Sequence, residues 1–134
     1  MRPIVCFCVL AVALAGCGAA ERDSAKEFKG AEAAVAKVVE DLESAARAND
    51  PEKVCKTLLD DKLIKALGAQ GTNCRTGTKD AFEDADSFDL TVKEVAITGT
   101  TANAKLTAGT GGDEKDYTLE FTRDGSAWKI SSLR

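Results

Sequence analysis

Around Asp86 the spacing of apolar residues changes from about four to two, and this switch limits the chain to folds in which helices come first and strands follow. Upstream, Phe28, Ala31, Val35, Val38, Val39, Leu42, Ala45 and Ala46 recur at intervals of three and four, and Glu32, Lys37, Glu40, Asp41 and Glu43 hold the other face. This is a long amphipathic helix with one stripe to bury. Downstream, Phe88, Leu90 and Val92 alternate with Asp89, Thr91 and Lys93 before the apolar phase slips to Val95 and Ile97. A bulge near Lys93-Glu94 explains the slip, because one extra residue moves every later side chain to the other face.

The punctuation between these patterns sets the elements. Ser24-Ala25-Lys26-Glu27 fits a capping box, although Gly30 weakens a helix start there. Asn49-Asp50-Pro51 ends the first helix and opens a second, whose stripe is Val54, Cys55, Leu58 and Leu59. Asp60 or Asp61 caps a short third helix with Leu63, Ile64 and Leu67 inward and Gly68 as its stop. A loop is expected over Gly68–Gly77, then a helical turn over Thr78–Ala85 that buries Ala81 and Phe82. Thr98-Gly99-Thr100 is a turn, and the next strand presents the small residues Ala102 and Ala104, then Leu106 and Ala108. A loose loop at Gly109–Asp113 leads to a strand lined by Tyr117, Leu119 and Phe121. Asp124-Gly125 is the strongest hairpin signal, and Trp128 and Ile130 face inward beyond it. The expected fold is α+β, with N-terminal helices packed on one face of a curved four-stranded antiparallel sheet.

Residues 1–16 have the form of an address. Arg2 precedes an uncharged apolar run from Ile4 to Ala15, the length of a signal-peptide core and too short to span a bilayer. Leu14-Ala15-Gly16-Cys17 is similar to the bacterial lipobox. That resemblance implies a diacylglyceryl thioether on Cys17 and cleavage before it, with an ordinary secretory signal or an uncleaved anchor as the alternatives. The chain divides into a signal peptide at 1–16, a lipidated N-terminus and tether at 17–25, and one domain at 26–134. Cleavage shortens 134 residues by 16, to 118, and removes Arg2, leaving 17 cations against 22 acids, a net −5. It also removes Cys6 and Cys8, so Cys55 and Cys74 are the two cysteines left for a bridge in an oxidising compartment. The rival reading, a redox-active pair, ordinarily uses a CxxC turn, and this spacing is far wider.

A lipobox, the alanine-rich helix ending in ARANDPEKVCKTL, and the closing hairpin YTLEFTRDGSAWKISSL together make the chain similar to small bacterial lipoproteins of the nuclear-transport-factor-two-like (cystatin-like) superfamily. The resemblance covers about Lys26 to Arg134. It implies a bent sheet and helices that form a cone able to enclose a small molecule. Catalytic members use ionisable residues in the cone, often Asp/His or Asp/Tyr. This chain has no histidine, so an enzyme here would need Tyr117 and an aspartate within hydrogen-bond reach.

The remaining chemistry is sparse. A missing histidine removes Ser-His-Asp and Cys-His catalysis and imidazole-dependent zinc sites. A net charge of −4 without a basic cluster argues against nucleic acid. Asp80, Glu83, Asp84, Asp86 and Asp89 suggest calcium, but counted from Asp84 the run has Asp89 where an EF-hand needs Gly and Val95 where it needs Glu. A solvated helix end is the simpler account. Gly109-Thr110-Gly111-Gly112 lacks the Lys and helix of a phosphate loop. Nothing in the pattern calls for a cofactor or metal. A ligand-binding hollow is expected between Val35, Leu42, Ala104, Leu106, Tyr117 and Phe121, with Leu106, Tyr117 and Phe121 as candidate ligand contacts. Tyr117 could equally be a rim tyrosine, and Trp128 a packing anchor. The expectation is a non-catalytic binding or interaction module in the cell envelope, lipid-anchored to the outer face of a bacterial membrane. Its partners would be that membrane and an unknown protein or small apolar ligand. A small-molecule enzyme and a structural envelope component are the alternatives.

Overall fold

The computed structural model describes residues 24–134. Cys17 and the rest of the leader and tether up to residue 23 lie outside the described residues. A single 3-10 turn, Ser24–Glu27, precedes helices α1 (Gly30–Arg47), α2 (Pro51–Lys53), α3 (Asp61–Ala69) and α4 (Cys74–Asp84). Strands β1 (Leu90–Thr98), β2 (Thr101–Ala108), β3 (Lys115–Asp124) and β4 (Ala127–Leu133) follow, paired antiparallel in the order β1-β2-β3-β4. The α+β architecture expected from the change of period is the one observed.

Helix α1 lies across the sheet because its stripe meets a matching one. Val35, Ala36 and Val39 are fully buried against Val92, Ala104 and Phe121. Ala102 and Ala104 bring the β2 backbone close to the helix, and Phe121, Trp128 and Ile130 fill the volume beside them. Each large apolar side chain buried in this way contributes roughly 1.5–3 kcal/mol. The bulge falls where the slip in phase puts it, between Val92 and Glu94. A second irregularity leaves Ser131 unpaired in β4, as Glu120 pairs with Ser132 and Phe121 with Ile130.

Helix α1 ends in a Schellman motif. Asn49 adopts φ +50°, its N–H donates to the carbonyl of Ala46, and that of Asp50 donates to Ala45. Asp50 then caps α2 by accepting from the Lys53 N–H at 2.9 Å. Beyond Lys53 the helix widens into a π turn, Val54–Leu58, closed by the Leu59 N–H on the Val54 carbonyl. Widening the turn buries Val54 and Leu58 and releases Leu59 into an extended conformation, where it bridges Ile130 of β4.

Four local expectations are corrected. Ser24 does not cap α1: its hydroxyl accepts from the Val92 N–H of β1, and Glu40 takes the Ala25 N–H at 2.8 Å. Gly68 lies inside α3, which runs to Ala69 and stops before Gly71 at φ +85°. The expected loop over Gly68–Gly77 is shortened from its far end, because the Asn73 side chain accepts from the Thr76 N–H and starts α4 at Cys74. Ala81 is exposed and Phe82 half-buried, its ring edge-on to Phe88.

Both borders of the sheet are occupied in part. On β1 the Glu43 carboxylate accepts from the Leu90 N–H and Ser24 from Val92. On β4 the Ile130 carbonyl takes the Asp60 N–H at 2.8 Å.

Candidate functional site

Of the residues expected to line a hollow, Val35, Ala104, Leu106 and Phe121 are only 0–3% exposed. All four belong to the packed core, against which Leu42 and Tyr117 are half-buried. Space opens elsewhere. A cavity of about 290 Å³ is lined by Lys93, Lys105, Leu106, Asp116, Tyr117, Thr118 and Arg134. Of the three candidate ligand contacts, the structure brings Leu106 and Tyr117 together as a cross-strand pair at this cavity and leaves Phe121 in the core.

Strand geometry explains the composition of the lining. Leu106 and Leu119 point toward α1 and are buried, so Lys105 and Thr118 point the other way. Lys105 is opposite Thr118, whose backbone N–H and carbonyl pair with those of Arg134. Lys93 joins this row from the β1 bulge. The result is a cationic band across the sheet face opposite α1. Lys105 pairs with Glu94 at 3.0 Å and Arg134 with Glu120 at 2.7 Å, whereas Lys93 makes no ion pair among the described residues. Two residues further along the same strands, Thr107 lies opposite Asp116, and its buried hydroxyl has no hydrogen-bond partner among the described residues. Nothing in the sequence pattern singles out Lys93, Lys105, Asp116, Thr118 and Arg134. They come from separate stretches of the chain, and only the register of β1, β2 and β3 and the bulge align them.

Tyr117 makes no side-chain hydrogen bond among the described residues, so no aspartate reaches its hydroxyl. Trp128 is buried beside Ile130 and acts as a packing anchor. The acidic run is divided by position: Asp80, Glu83 and Asp84 are exposed on α4, while Asp89 pairs with Arg47 and bonds Ser87. Among the described residues no three ligand-type side chains are grouped to hold a metal ion, and no helix is long and apolar enough to cross a membrane.

Cys55 and Cys74 are bridged, with Cα atoms 6.0 Å apart. The bond joins the π turn to the first residue of α4, and the Glu52–Arg75 ion pair at 3.1 Å ties the adjoining α2 to α4 beside it. The Lys56 ammonium, by hydrogen bond and by charge, holds the Glu52 carboxyl below its ordinary range, with Arg75 assisting. A second anchor is Asp60. Thr122 of β3 donates to its carboxylate at 2.7 Å, and the Lys62 N–H at the head of α3 donates at 2.6 Å. The Thr122 bond is the largest influence lowering the Asp60 pKa, and the α3 amides add to it.

No family model matches the sequence, and no curated protein matches it. Solved structures do. The solution structure of RPA3114, a SEC-C motif containing protein from Rhodopseudomonas palustris, superposes with a TM-score of 0.58 at 15% identity, over 83% of this chain and 84% of that one. The de novo designed NTF2 fold protein NT-9 superposes with a TM-score of 0.51 at 11% identity, over 78% of this chain and 87% of the design. At such identities the likeness is one of fold. The chain has an NTF2-like fold.

Proposed function

We propose that this chain is a lipid-anchored extracytoplasmic protein that acts as a non-catalytic binding module at the outer face of a bacterial membrane. The observation that carries the reading is the order of features in the sequence: an apolar run, Leu14-Ala15-Gly16-Cys17, a short polar tether, then the folded domain. The Cys55–Cys74 bridge supports it, since such bonds persist in oxidising compartments. The absence of histidine supports a binding role over a catalytic one.

Native mass spectrometry of protein purified from its own membrane tests the reading in one measurement. The expected species begins at Cys17, carries the mass of a diacylglyceryl group and lacks two hydrogens for the bridge. Recovery from the cytosol as a chain still beginning at Met1 with reduced thiols overturns it.

A further inference from the structure

We infer that the cavity between Lys93, Lys105, Tyr117, Thr118 and Arg134 binds a monoanionic phosphodiester of the kind carried by anionic phospholipid headgroups. The inference deepens the membrane-anchored reading above and rests on it for the source of the ligand.

Size is the first argument. At about 290 Å³ the cavity lies at the lower limit of small-molecule pockets, roughly 300 Å³, and suits a headgroup-sized fragment. Charge is the second. Three cations converge on the lining, and Lys93 has no ion-pair partner among the described residues. The other two are held only in exposed pairs, Lys105 with Glu94 and Arg134 with Glu120. Such pairs contribute about 0–1 kcal/mol, so an incoming anion can take over those donors at small cost. The Arg134 guanidinium offers a planar fork suited to two phosphate oxygens, while Lys93 and Lys105 act as point charges. Asp116 supplies the selectivity. A carboxylate in the lining, with Glu94 and Glu120 paired to its cations Lys105 and Arg134, repels a dianionic phosphomonoester more strongly than a singly charged diester.

Position is the third argument. The described chain begins at Ser24, whose hydroxyl accepts from the Val92 N–H, next to Lys93 at the bulge. Ser24 lies seven positions beyond Cys17, so a fully extended tether reaches roughly 25 Å. An acyl group on Cys17 would hold the Lys93 end of the cavity within that distance of the bilayer surface, where diester headgroups are dense.

The test uses the mature protein in uncharged detergent, followed by backbone amide NMR. The probes are glycerophosphoglycerol, dihexanoyl phosphatidylglycerol below its micelle concentration, glycerol 3-phosphate and inorganic phosphate. Saturable shifts centred on Lys93, Lys105 and Thr118 with both diesters are expected, at least tenfold tighter than with the monoester or phosphate. Lys93→Ala combined with Lys105→Ala should weaken diester binding at least tenfold, and Lys62→Ala on the distant α3 should leave it unchanged. Asp116→Asn should narrow the preference for diester over monoester. Binding of the soluble diester as well as the lipid assigns recognition to the headgroup. Binding of the lipid alone, binding unaffected by the double substitution, preference for inorganic phosphate, or no saturable shift overturns the inference. The mass at Cys17 is measured separately, so failure of the anchor and failure of the cavity are told apart.

Discussion

Gly109 turns the chain out of β2 with φ +111°, and its N–H donates to the Asp89 carbonyl at 2.9 Å. A Cβ built there would come within 2.9 Å of the Asp113 carbonyl oxygen, a backbone atom that cannot rotate away. Gly109→Ala should therefore cost roughly 1–3 kcal/mol, read as a lower urea midpoint with an unchanged slope. An unchanged midpoint would show that the 109–113 loop relaxes freely. The sequence marked this loop as flexible because of its glycines, whereas one of them is required by geometry. Asn49 and the Asp124-Gly125 turn were more legible. Asn49 and Gly125 are residue types that accept positive φ and both take it, Gly125 at +62°, although the turn is Gly125-Ser126, with Asp124 closing β3 opposite Ala127.

Among the elements, long runs with a clear period were readable and short ones less so. Helix α1 and all four strands stand near their expected bounds, because each repeats its pattern over several residues. The β1 bulge was legible because a phase slip is written in the sequence. The Ser131 irregularity was missed because it follows Ile130 near the end of the chain, where too few residues remain to show a phase. The π turn at Val54–Leu58 left no trace either, since Val54, Cys55, Leu58 and Leu59 fit an ordinary helical stripe. Asp60 illustrates how such a short segment is held. It joins α3 to β3 through Thr122 and caps α3 through Lys62. Because its folded-state pKa lies below the ordinary 3.8, its stabilisation is present above about pH 4 and lost as pH falls through the folded value. Asp60→Ala should cost about 1–2 kcal/mol at pH 7 and clearly less at pH 2.5. Equal losses in urea melts at both pH values would show that the carboxylate charge plays no part.

The whole molecule is held by one core and one covalent clamp. The helical segments after α1 add few residues to the core, chiefly Val54 and Leu58 of the π turn, and the Cys55–Cys74 bond fastens that turn to α4. A loop of about 20 residues closed in this way contributes roughly 3 kcal/mol on the chain-entropy account. Replacing both cysteines with alanine should lower the unfolding free energy by about that amount; a loss under about 1 kcal/mol would mean the helices hold themselves. The pairing was legible because the expected cleavage, with Cys17 taken up by lipid, left two cysteines. The cavity was not, because its lining is assembled by register from β1, β2 and β3 with Arg134 just past β4, a property no single stretch of sequence displays.

The occupied borders of the sheet reach beyond the single chain. A second copy sliding alongside β1 finds the amides of Leu90 and Val92 already engaged by Glu43 and Ser24, and one approaching β4 meets Leu59 and Asp60 seated at Ile130. Fibre growth needs an open row of donors and acceptors to template the next layer. Here the first rungs on both flanks are taken, which works against strand-to-strand growth when copies collide.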